Sequence, residues 1–183
     1  MTRDQAMTLL KEFTHSESLL KHAYAVEAAM RAYAGASGAD VELWGMVGLL
    51  HDFDYEMYPE AHPMKGSEIL KGKGVALDIR QAILGHADFS GVPRTTAMAK
   101  TLYAVDELCG FITAVTLVKP SRSVSEVSAQ SVKKKMKDKS FAAKVNREEI
   151  RKGAEQLNVD FEKHVEFVVS ALSKVAEKLG LNP

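Results

Sequence analysis

Apolar residues recur at three- and four-residue spacing through most of the chain, and stretches that alternate one by one between apolar and polar are scarce. That period belongs to helices with one buried face, so the pattern predicts an all-α fold. A first helix is expected over residues 4–13. A second covers residues 16–33, where Leu19, Ala23, Val26, Ala29 and Met30 form the buried stripe and Gly35 the stop. Residues 41–50 are apolar almost all round and belong deep in the core, with Asp40 as the N-cap. Pro59 and Pro63 interrupt any helix beyond Asp52, so residues 53–60 read as an open loop.

Short helices are expected over residues 65–70 and 76–84, then a loop over residues 87–94 and a long helix over residues 95–118 stopped by Pro120. Past Pro120 the character changes: residues 121–125 read as a linker or cap, and residues 131–139 are strongly basic. Asn146 with Glu149 predicts a capping box opening a helix over residues 147–157. The last helix begins after Asp160 and runs to about Leu179, with Gly180 as its stop.

A length of 183 residues suits one domain with a helical extension rather than two domains. The 24 basic side chains equal the 24 acidic ones, which argues against the broad positive field that drives nonspecific nucleic-acid binding. The run of lysines from Lys133 to Lys139 lacks aromatic interleaving and reads as a solvated helix face. A lone cysteine, Cys109, has no intramolecular disulfide partner, and the opening Met1 to Gln5 has no apolar signal core. The longest apolar stretch, residues 109–118, is well short of the ~20 residues a membrane span needs. A cytoplasmic protein with no membrane segment is expected.

The candidate chemistry lies in the adjacent pair His51-Asp52, which emerges from the C-terminal end of the most apolar helix. Its possible partners are His22 upstream, His62 and His86 downstream, and Asp106 in the middle of the long helix, where an unpaired carboxylate would be costly. Imidazole with carboxylate suits manganese, zinc, iron, cobalt or nickel, and the absence of a cysteine cluster argues against a zinc-thiolate site.

The order His22, His51-Asp52, Asp106 resembles the signature of the HD superfamily of metal-dependent phosphohydrolases. The resemblance implies an all-α HD-domain helical bundle over residues 1–120, with residues 121–183 as a C-terminal helical extension packed on it. His62-Pro63-Met64-Lys65-Gly66 resembles the His-Pro-x-x-Gly element of dinuclear HD families, including the HD-GYP phosphodiesterases. It implies a second ion held by His62 and His86, with Asp52 bridging. The chain has His86-Ala87 where those phosphodiesterases carry two histidines, and only Gly91-Val92-Pro93 in place of Gly-Tyr-Pro, which argues against cyclic-dinucleotide cleavage. The stretch from Leu102 to Ile112, with Val118 to Arg122 and Ser131 to Lys135 after it, resembles a bacterial and archaeal HDIG-like subgroup of predicted HD hydrolases.

What the resemblance implies is hydrolysis of a phosphomonoester, phosphodiester or phosphoanhydride of a small molecule, a nucleotide being expected, by metal-activated water. One or two divalent ions would take part. Asp52 and Asp54 are the expected catalytic carboxylates, Asp54 as proton carrier. Lys65, Arg94, Lys100, Lys119 and Arg122 are the expected partners of the phosphate, the arginines able to grip two oxygens at once. Two other classes stay open: an HD-fold di-iron oxygenase, which resembles this ligand order, and a noncatalytic metal-binding regulatory module.

Overall fold

The computed structural model describes residues 1–182. Among them are ten α-helices and no strand. The helices are α1 (Arg3–Phe13), α2 (Glu17–Ser37), α3 (Val41–Leu50), α4 (Met64–Gly72), α5 (Leu77–Leu84), α6 (Ala97–Leu117), α7 (Ala129–Met136), α8 (Arg147–Leu157), α9 (Phe161–Ser173) and α10 (Ala176–Leu179). The two long helices, α2 and α6, pack on each other and organise the rest: α3 lies along α2, and α8 along α6. The core they share is aliphatic, with Met30, Leu49, Leu50, Leu102, Leu108 and Ile112 all fully buried.

Caps explain most of the boundaries. Asp40 accepts from the Leu43 amide and opens α3, as its sequence position predicts. α2 runs through the expected stop at Gly35, because Gly35 stays helical and Gly38 is the residue that turns left-handed, at φ 70°. The final helix does not reach Leu179 unbroken. It ends at Ser173, and the chain resumes as α10, a redirection that buries Leu179 and Leu181 and lets the Leu181 carbonyl accept from the Val124 amide.

The start of α8 also departs from expectation. Asn146 does cap the helix, its side-chain oxygen accepting from the Glu148 and Glu149 amides. Its own backbone amide donates to the Glu107 carboxylate on α6, at 3.1 Å, instead of to Glu149. That cross-link depends on a close approach of the two helices. A Cβ at Gly153 would lie 2.5 Å from Cα of Ala104, so α8 sits on α6 at a distance only glycine permits.

α9 is fastened by a buried histidine. His164 Nε2 donates to the Ala104 carbonyl at 3.0 Å, which leaves Nδ1 to accept from the Tyr33 hydroxyl at 2.6 Å. One imidazole thereby joins α9 to both α2 and α6. No helix among the described residues is long and apolar enough to cross a membrane.

Candidate metal centre

Four segments deliver the chemistry to one place: the first half of α2 with His22, the end of α3 with His51 and Asp52, the turns around α4 and α5 with His62 and His86, and the centre of α6 with Asp106. His22, His51, Asp52 and Asp106 offer ligand atoms that all lie within 4.8 Å of one another, and Asp52, His62 and His86 do the same. Asp52 belongs to both groups through different oxygens. Its Oδ2 faces His51 Nε2 at 3.3 Å and His22 Nε2 at 3.9 Å, while its Oδ1 faces His86 Nε2 at 3.1 Å and His62 Nε2 at 3.3 Å. Asp106 Oδ1 completes the first group, 2.9 Å from His22 Nε2 and 3.2 Å from His51 Nε2.

The imidazoles are aimed by their far nitrogens. His51 Nδ1 bonds to the Gly48 carbonyl at 2.8 Å, His86 Nδ1 to the Ile83 carbonyl at 2.6 Å, and His62 Nδ1 to Asp54 Oδ1 at 2.8 Å. With each Nδ1 donating its proton outward, each Nε2 faces the centre, the orientation metal-binding histidines use, and a metal binding there takes the place of any proton it carries. His51 Nε2 is buried and has no hydrogen-bond partner. An orphaned nitrogen in that position fits a cation: ligands at ~2.1 Å from a common ion stand about 3 Å apart when adjacent in an octahedron, close to the spacings here. The donor set, nitrogen and carboxylate oxygen without sulfur, suits a divalent first-row metal.

The electrostatics describe a centre that attracts positive charge, a proton on His51 or a metal in its place. Burial alone would lower the His51 pKa, but the charges of Asp52 and Asp106 override it and hold it well above the usual histidine value. Burial would raise Asp106, yet the charge of His51 and the bond from His22 hold it below the usual carboxylate range. The centre is built to keep its carboxylates ionised.

Residues 19–109 match the family model described as the HD domain. The match begins three residues before His22 and ends three after Asp106, so it encloses all six converging side chains. This chain belongs to the HD superfamily. No curated protein and no solved structure matches it.

Other residues singled out by sequence lie elsewhere in this HD protein. Asp54 does not face the cleft: it is 1 % exposed, and its two oxygens are taken by His62 Nδ1 and, at 2.6 Å, by the Gly66 amide. A carboxylate so occupied orients His62 and has no oxygen left open to the cleft. The glycine of the His-Pro-x-x-Gly element thereby gains a reason, since a Cβ on Gly66 would lie 2.8 Å from the Asp54 carboxylate.

None of the five expected phosphate partners is among the residues lining the cleft over the centre, a space of about 540 Å³. Lys65 is paired with Glu68 in its own helix at 2.8 Å. Arg94 is consumed by structure: it bonds Gly85, Gln156 and Asp88 and stacks on the Tyr103 ring, 3.7 Å from its centroid. Lys100 is six positions before Asp106 on α6, about 240° round the helix and so on another face. Lys119 and Arg122 follow the end of α6, whose last residue, Leu117, is about 16 Å along the axis from Asp106.

The cleft is lined by Tyr55, Phe89, Glu107, Asn146 and Glu149 around the ligand side chains. Among the described residues that line it there is no lysine or arginine. A neighbouring depression shares His22 and Gly110 and contains Lys21, which is paired with Glu17 at 2.7 Å. Burial, with the charge of Asp106 beside it, pushes the Glu107 carboxyl up to about 7. Asn146 and Glu149 carry no ligand-like signal in the sequence. Only the docking of α8 on α6 brings them over the centre.

Proposed function

We propose that the chain is a metal-dependent phosphohydrolase that binds two divalent ions, one at His22, His51, Asp52 and Asp106 and one at Asp52, His62 and His86. The observation that carries the reading is the orientation of Asp52, one oxygen toward each histidine group. When bound, such ions lower the pKa of water and polarise a phosphoryl oxygen, which is the chemistry phosphate-ester hydrolysis needs. The protein's own part is positional. The outward Nδ1 bonds fix three rings, Asp54 holds His62 through one oxygen while its other accepts from the Gly66 amide, and the apolar helix α3 stiffens the floor beneath His51. No lysine or arginine lines the cleft among the described residues, so a phosphate there would depend on ions held by the histidine and aspartate side chains for its charge.

The test is elemental analysis of unchelated protein followed by a panel of phosphomonoesters, phosphodiesters and phosphoanhydrides with the metal found. Divalent metal with turnover of a phosphate ester is the expected result. His51→Ala and Asp52→Ala should each lose bound metal and activity while keeping the helical circular dichroism spectrum; unchanged metal content in both sinks the site. The same six ligands also suit the di-iron oxygenase reading, and about two irons per chain with oxygen consumption would replace hydrolysis by it. An absence of metal under replete conditions would leave a noncatalytic module.

A further inference from the structure

Two depressions meet at the ligand cluster. The cleft over it and the neighbouring hollow, about 580 Å³, share two lining residues, His22 and Gly110. The hollow leads away along one stripe of α6: Gly110, Thr113 and Leu117 follow Asp106 at four, seven and eleven positions, so they share its face over about 16 Å of helix. The start of α2 supplies another wall, with Ser18 one turn before His22, and the buried Leu179 and Leu181 complete the lining.

Nothing in the packing requires residue 110 to be glycine. It lies inside a 21-residue helix, where glycine costs stability, and a Cβ built there would meet nothing within 4 Å. Gly153 is the contrast, since the contact between α6 and α8 demands it. The gap over Gly110 stands one turn from Asp106, at the junction of the two depressions, where a ligand can pass close over the backbone. The polar groups of the hollow are already paired: Ser16 with Ser18 at 2.9 Å, Lys21 with Glu17 at 2.7 Å, and Thr113 Oγ1 donating to the Cys109 carbonyl at 2.9 Å. Leu117, by contrast, is 50 % exposed. The hollow therefore offers apolar surface and no unmatched charge.

We propose that the hollow receives the alcohol part of the phosphate ester, an uncharged apolar chain that crosses Gly110 and runs toward Leu117 while the phosphate stays at the ligand cluster. This rests on the reading that phosphate binds there. The substrate class is then an ester of an elongated apolar alcohol, and Gly110 is the residue that admits it. The ribose and base of a nucleotide carry donors and acceptors that would lose water in the hollow without finding open partners. A chain of methylenes loses nothing of that kind and gains from leaving water.

The experiment is calorimetric titration of metal-loaded protein with methylphosphonate, octylphosphonate, 7-carboxyheptylphosphonate and the methylenephosphonate analogue of adenosine monophosphate. Each methylene fully taken out of water is worth about four-fold, so the octyl probe should bind at least about ten-fold more tightly than the methyl one. The carboxylate at the far end should cost several-fold. Gly110→Leu, whose side chain fills the gap, should bring octyl and methyl to within about two-fold, and Leu117→Glu, remote from the cluster and outside the lining of the first cleft, should shrink the ratio several-fold. Equal binding of octyl and methyl overturns the proposal, as does an octyl preference that survives either variant. So does tighter binding of the adenosine analogue than of the octyl probe, or no binding by any probe. Ester turnover reads the phosphohydrolase assignment separately: octyl preference without turnover sinks hydrolysis alone, and turnover of short esters without octyl preference sinks the apolar alcohol alone.

Discussion

A carboxylate as buried as Asp54 survives desolvation only when its oxygens are occupied, and here the occupants are a ring nitrogen and a backbone amide. Its worth to the protein is the orientation of His62. Asp54→Asn would leave one of those donors facing an amide N–H, and the expected result is a ~10- to 100-fold weaker affinity for metal at the His62 and His86 group, with the first group loaded. Metal titration followed by elemental analysis checks it. His164 offers a second prediction of opposite character. Burial lowers its pKa below the ordinary 6.5, so the unfolded chain binds the proton more readily than the folded one. Its contribution is intact above pH 6.5 and is lost as pH falls through the folded value. Urea midpoints should drop more steeply between pH 7.5 and pH 5 in the wild type than in His164→Gln, which does not titrate there; parallel profiles would refute it. At this scale the sequence displayed the converging side chains well, because His51-Asp52 and the flanking residues carry an order that survives without coordinates. It concealed the role of Asp54, since its position two residues beyond the pair says nothing about a bond to Gly66 twelve residues away.

Helices were legible wherever one residue decides a cap. Asp40, Thr96 and Asp160 each accept an amide at the start of a helix, as short polar side chains before an apolar run do. What periodicity could not reveal is which helix touches which. The capping box at Asn146 was a sound local expectation that a tertiary contact displaced, because the Glu107 carboxylate reaches the Asn146 amide first. α8 is the element on which the cleft wall depends, and Gly153 sets its distance from α6. Gly153→Ala should push the helices apart, cost about 1 to 3 kcal/mol of stability and separate Asn146 from Glu107. Chemical denaturation reads the first effect, and faster hydrogen exchange at the Asn146 amide reads the second.

At the scale of the whole molecule, the HD match covers residues 19–109, whereas the cleft also draws on residues 110, 145, 146 and 149 beyond it. The aliphatic core runs from α1 to α10 and owes nothing to a bound ion. Chelation should therefore leave the helical spectrum intact while lowering the melting temperature. At a free metal level one hundred times Kd, ligand binding is worth about 2.7 kcal/mol per site, or roughly 5 to 10 °C for a chain of this size. Collapse of the helical signal on chelation would show instead that the ion is part of the fold. Zero net charge fits a pull on substrate that is local to the cleft.

Because Gly153 lets a separate helix lean over the ligand cluster, reactivity and choice of cargo reside in exchangeable pieces of chain. Changes confined to residues 145–149 can retune what is admitted while the six histidine and aspartate side chains stay as they are. A library built on that short segment would be the economical route to a new specificity on an old reaction.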